Sequence, residues 1–178
     1  ADFDTIEDSN LSRSVLFRAT DRGRRRYFQR QIGGACYSLL ALMTPKSIAT
    51  RPSCQWVTPC PAAPFRYGGA VTVTHCPRLD EMQAAVAALA GALPLRGLVS
   101  FDFRIDGNSA FLLDVNPRPG ATLDIFDTPK SSLFRAHIAA HAHDTVASPW
   151  TDDSSAAASA ILYAGAHDLT MPGIDWPT

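Results

Sequence analysis

Apolar and polar positions along the chain change period several times, and each change marks an element. Residues 27–32 read as a strand that Gly33 and Gly34 break. Residues 37–44 (YSLLALMT) form a run apolar enough for a buried strand. A turn at Pro45 and Lys46 leads into another strand near residues 47–56. Residues 59–69 are rich in Pro, Ala and Gly and read as a loop, with Phe65 and Tyr67 expected to plug against the body. Residues 70–76 (AVTVTHC) alternate as a strand. Then the period changes to that of a helix: Leu79, Met82, Val86, Leu89 and Leu93 recur at three and four, predicting a stripe buried against a sheet and ended by Pro94.

Residues 97–124 (GLVSFDFRIDGNSAFLLDVNPRPGATLD) are the most informative stretch. Leu98, Val99, Phe101, Phe103 and Ile105 carry one strand, and residues 111–115 a second. Asp106-Gly107-Asn108 between them signals a hairpin, because Gly and Asn tolerate positive φ. Three residues stand out against the apolar background: Asp102, Asp114 and Asn116. A carboxylate amid apolar strand residues is costly unless paired, hydrogen-bonded or metal-bound. Register decides whether these three meet. A three-residue turn, Gly107 to Ser109, sets Asp102 opposite Asp114 and Ser100 opposite Asn116, and opposed residues share a face. A two-residue turn sets Leu113 opposite Asp102 and scatters the acids. We therefore expect the three-residue turn, and with it a hard-oxygen set suited to Mg²⁺.

Later in the chain, Ser131 or Ser132 caps a helix running through Phe134, Ile138 and His141. Residues 149–155 read as a linker, residues 158–164 as a last strand, and the tail beyond Gly165 as irregular. Residues 1–10 are acidic and polar and expected to be poorly ordered. Residues 13–26 are basic, with Arg22, Arg24, Arg25 and Arg26 around Gly23, and read as solvated surface.

Composition narrows the function classes. The chain has 178 residues, 46% hydrophobic and 19% charged, with a formal net charge of −1. That suits a globular domain and gives no electrostatic reason to expect nucleic acid or an acidic membrane as partner. No apolar run is long enough to span a bilayer, so a cytoplasmic location is the expectation. Cys36, Cys54, Cys60 and Cys76 show no CxxC spacing and are expected to be reduced. His137 and His141 share a helix face, with His143 nearby, but no third ligand of matching spacing accompanies them.

Asp102, followed after a hairpin by Asp114-x-Asn116-Pro117-Arg118-Pro119-Gly120, resembles the metal-binding end of the ATP-grasp superfamily. The resemblance is sharp over about 25 residues and weaker from Tyr27 to Asp127. It implies the large lobe of an ATP-grasp domain: an α/β (α+β) fold, mainly an antiparallel sheet with packing helices. Residues 27–150 would be that partial domain, residues 1–26 a divergent N-terminal segment, and residues 151–178 a C-terminal strand and irregular tail. It also implies an ATP-dependent carboxylate–amine (or thiol) ligase that works through an acyl phosphate on small-molecule substrates. On this reading Asp102, Asp114 and Asn116 hold Mg²⁺ (or Mn²⁺). Arg118 clamps phosphate, since its planar fork matches that group. Gln29, Arg30, Gln31 and Ile32 read the adenine edge, Leu113 lies under the adenine, and residues 120–122 approach the second substrate. Two positions depart from the family pattern: Asp114 stands where Glu is usual, and Ser100 where one branch often has Arg. With lysine only at Lys46 and Lys130 and no Gly-rich loop before Tyr27, the chain reads as a fragment of a longer ligase. Homo-oligomer formation is left open. The rival readings are a non-catalytic nucleotide-binding or scaffold remnant and a metal-dependent hydrolase. Amine-dependent ADP release separates both from a ligase.

Overall fold

A computed structural model describes residues 32–61, 63–150 and 156–163. The chain divides into two units, Ala1–Ile32 and Gly33–Thr178. Gln29, Arg30 and Gln31, the basic segment 13–26 and the tail from residue 164 lie outside the described residues; Ile32, half-buried, is in irregular backbone.

Within the second unit the described strands are β1 (Ala35–Met43), β2 (Ile48–Val57), β3 (Tyr67–Thr72), β4 (Gly97–Asp106), β5 (Ser109–Asn116) and β6 (Ala158–Ala160). The helices are α1 (Leu79–Ala92), α2 (Leu123–Phe126) and α3 (Leu133–Ala142). The strands form one sheet in the order β5-β4-β1-β2-β3-β6, and each neighbouring pair is antiparallel. The α/β expectation of a mainly antiparallel sheet with packing helices therefore holds.

β1 lies inside the sheet and is covered on both faces, which is why its sequence is a run rather than an alternation. Leu39, Ala41 and Met43 point to one face with Val99, Phe101, Phe103 and Ile105, where Met82 and Val86 of α1 and Cys76 close the core. Leu40, Leu42 and Leu98 point to the other face and pack under Ile125, Phe126, Leu133, Ala136 and Ala140. The second cover is incomplete. Ser38, Ser100 and Asp102 continue that face beyond Leu40 and Leu98, so its polar end holds the candidate chemistry.

α3 is seated on β4 by His137, one of the two histidines that share its face. His137 Nδ1 accepts the Leu98 backbone N–H at 2.9 Å, with the His141 ring 4.9 Å away, edge to face. Burial, and then the neighbouring His141, lower the His137 pKa, consistent with a neutral ring that accepts at Nδ1. Ser132 is the N-cap, its hydroxyl accepting from Arg135 N at 3.4 Å. Cys36, Cys54, Cys60 and Cys76 are all free thiols.

Several sequence expectations need correction. The hairpin turns on two residues, not three: Asp106 pairs with Ser109, and positive φ falls on Gly107 (53°). β3 runs from Tyr67 to Thr72 rather than over 70–76. Thr72 pairs with Ser53, and the next residue of β2, Pro52, has no N–H to extend the ladder opposite Val73. Phe65 is 75% exposed, so it plugs nothing; it sits in the β2–β3 turn, beyond the paired strands. α1 ends at Ala92, and Leu93 has extended backbone and is 45% exposed, so the buried stripe stops short of it. The last described strand covers only residues 158–160.

The packing of α1 generates a stability prediction. Met82 is fully buried, so Met82→Ala is expected to destabilise the chain by about 2–5 kcal/mol. Leu93→Ala, at the exposed end, should change stability by less than about 0.5 kcal/mol. Urea unfolding of both variants measures the contrast.

Candidate functional site

The site is built on one cross-strand row. Asp114 of β5 pairs with Asp102 of β4, which pairs with Ser38 of β1, which pairs with Ser53 of β2. Opposed residues share a face, so this row of acids and hydroxyls runs across four strands. The next row toward α3 begins with Asn116 opposite Ser100.

Asp102 and Asp114 are opposed as expected, but by another device. The ladder runs one-for-one from Asp106–Ser109 to Phe103–Leu112, then shifts, and Asp102 pairs with Asp114. Leu113 is the extra residue, a β-bulge that cancels the one-residue offset of the shorter turn. The Asp114 carboxylate also bonds its own edge strand: its Oδ1 accepts the Val115 N–H at 2.8 Å. Leu113 is 50% exposed.

The three oxygen-bearing side chains converge. Asn116 Nδ2 donates to Asp102 Oδ2 and to Asp114 Oδ2, each at 3.3 Å, so both carboxylates reach one point. Asn116 Oδ1 accepts from Arg118 at 3.4 Å, and the other arm of that guanidinium donates to the Pro119 carbonyl at 3.2 Å. The donor set fits a hard divalent cation: two convergent carboxylate oxygens, with a third oxygen supplied when the Asn116 amide turns over. Asp114 Oδ2, the oxygen that meets the Asn116 amide, is the one aimed at the shared point.

Asp102 is the strained member. Burial pushes its carboxyl pKa above the ordinary 3.8; the Ser38 hydroxyl opposes that, the Asp114 charge adds to it, and the Gln55 amide and Arg118 oppose it. Ser38 and Gln55 were missed in the sequence. The available signal was a serine placed directly before the apolar run LLALM of β1. Ser53 and Thr122, 0% and 1% exposed, each carry a hydroxyl without a hydrogen-bond partner.

After Asn116 the backbone turns sharply, with Arg118 N–H bonded to Asn116 O at 2.7 Å. The loop then descends onto β4. A Cβ at Gly120 would lie 2.8 Å from Ser100 Cβ and 2.9 Å from its Oγ, so glycine permits this approach. α2 follows at once, a short helix the sequence did not reveal, and its Ile125 and Phe126 anchor the loop's far end in the core.

A raised carboxyl pKa fixes the sign of a pH effect. Between the ordinary value and the raised one, the folded chain binds more protons than the unfolded chain, so this group lowers stability as pH rises through that window. Asp102→Asn should therefore melt higher than wild type at neutral pH without metal, the gap narrowing as pH falls through that window and levelling off below about 4. Thermal unfolding across pH checks both sign and window.

A family model described as "ATP-grasp domain" matches residues 8–122. No curated protein matches the sequence. Among solved structures, N5-carboxyaminoimidazole synthetase from Staphylococcus aureus, complexed with ADP, is similar at TM-score 0.53 and 16% identity, over 64% of this chain and 31% of that one. Phosphoribosylglycinamide synthetase from Anaerococcus prevotii is similar at TM-score 0.53 and 14% identity, over 64% of this chain and 30% of that one. The chain thus spans about a third of the length of these structures. At such identities they show a shared fold, which agrees with the family match over more than half the sequence. The chain belongs to the ATP-grasp family.

Proposed function

We propose that this chain is the metal-bearing part of an ATP- and Mg²⁺-dependent ligase joining a small-molecule carboxylate to an amine through an acyl phosphate. The observation that carries the reading is the convergence of the Asp102 and Asp114 carboxylates on the Asn116 amide. Asp102 Oδ2, Asp114 Oδ2 and the turned Asn116 amide would hold Mg²⁺ (or Mn²⁺), which supplies charge neutralisation for the phosphates. Arg118 is exposed beside them and, with its fork only partly engaged, is the candidate clamp for a transferred phosphoryl group. Its positive charge would offset negative charge developing as a carboxylate oxygen attacks phosphorus. Leu113, exposed on the bulge, is proposed as apolar support for the adenine, and Gln29, Arg30, Gln31 and Ile32 as the residues reading its edge. The proposed layout is residues 27–150 as a partial ATP-grasp lobe, flanked by segments 1–26 and 151–178. No helix among the described residues is long and apolar enough to cross a membrane; a cytoplasmic setting and small-molecule partners are part of the proposal.

The test uses the full-length protein that contains this chain. ADP release should require both a carboxylate and an amine, and Asp114→Asn should lower it by about a hundredfold or more while leaving the thermal midpoint close to wild type. ADP release that ignores the amine, or full activity with Asn at 114, would overturn the reading.

A further inference from the structure

Two buried hydroxyls stand beside the Asp102 carboxylate on its own face of the sheet. Ser38 is the cross-strand partner of Asp102, and Ser100 lies two residues before Asp102 on the same face. Ser38 Oγ and Ser100 Oγ are 3.1 Å apart, with the residues 0% and 4% exposed. A hydroxyl has one proton, and an ionised carboxylate only accepts. Either hydroxyl can donate in that contact. A Ser38 proton turned to its cross-strand partner Asp102, whose ionised form the Ser38 hydroxyl favours, leaves Ser38 to accept from Ser100.

We propose that Ser38 is a positioning residue for Asp102, with Ser100 orienting it in turn, the pair fixing the carboxylate in its ligand geometry. This rests on the reading of Asp102 as a metal ligand. Buried as they are, the two hydroxyls act through Asp102 rather than on substrate. The relay also reaches the loop that carries Arg118, because Gly120 closes directly onto Ser100 and Asn116 is the cross-strand partner of Ser100. Movement of Ser100 is thereby tied to both the carboxylate and the loop. Ser53 provides an internal control. It pairs with Ser38 on the next strand, is equally buried, and its hydroxyl has no partner.

Two readouts on the full chain test the relay. Mn²⁺ titration, followed by the free-ion EPR signal, should show binding weakened about tenfold or more by Ser38→Ala. Ser38→Thr, which keeps the hydroxyl, should restore most of it, and Ser53→Ala should leave it unchanged. The second readout is a thermal double-mutant cycle without metal. Ser38→Ala should lower the midpoint in the wild-type chain and lower it less in Asp102→Asn, because a hydroxyl that serves only packing gives equal shifts in both backgrounds. Equal shifts, or Mn²⁺ affinity that Ser38→Ala leaves within twofold of wild type, would overturn the proposal. If Ser38→Ala fails to fold, Ser100→Ala carries the same expectations. Coupling in the cycle with no Mn²⁺ binding by wild type would sink the metal reading and leave the relay. Mn²⁺ binding lost in Asp102→Asn but untouched in Ser38→Ala would sink the relay alone.

Discussion

A carboxylate has to be kept in the middle of a buried strand, and much of the polar half of the sheet answers to that constraint. Asp102 sits between Phe101 and Phe103, 0% and 1% exposed, and its burial alone pushes it toward the neutral acid. The Ser38 hydroxyl, the Gln55 amide and Arg118 work against that shift, and the Asn116 amide donates to the same carboxylate. These groups come from β1, β2, β5 and the loop after β5, so one charge draws together distant parts of the sequence. Buried hydroxyls without partners at Ser53 and Thr122 belong to the same polar half, where packing alone does not account for the residue types.

Register is where local and global preferences compete. Gly107-Asn108 favours the tight two-residue turn, whose twist matches the strands it joins. Taken alone, that turn puts Asp114 out of line with Asp102. The bulge at Leu113 restores the alignment midway along the hairpin, so turn chemistry and site geometry are both satisfied. A bulged edge strand also offers a poorer template for pairing with another chain, which matters because β5 ends the sheet.

The legible parts of this fold were those with strong periodicity. The unbroken run of β1, the three-and-four stripe of α1 and the two strands of the hairpin each announced their period, and Asp102, Asp114 and Asn116 were found because they violate an apolar pattern. What stayed hidden depended on partners far away in sequence. Pro52 sets the end of β3 through an adjacent strand, so the alternation of residues 70–76 misled. The bulge exists only relative to β4. The short α2 has too few residues to show a period, and its burial comes from packing beside Tyr67 and Leu133. His137 and His141 carried metal-like spacing, yet His137 is occupied by a backbone N–H that no sequence pattern exposes.

The His137 contact also explains where the apolar cover of this face ends. α3 is fixed at the start of β4 by the bond to Leu98, and its small buried residues, Ala136 and Ala140, let it lie close over Leu40, Leu42 and Leu98. Along β4 the same face then passes from Leu98 to Ser100 and Asp102, and β1 makes the matching change from Leu40 to Ser38. Apolar cover and polar site are thus consecutive positions of one alternation. Beyond Leu98 the face offers hydroxyls and a carboxylate, to which an apolar helix face would bring no hydrogen-bond partner, at a cost of about 1–3 kcal/mol for each group left unsatisfied. The side chains that favour α3 at one end of the sheet therefore oppose its extension to the other. Over Ser100 the cover is instead a glycine, brought in by the loop that carries Arg118.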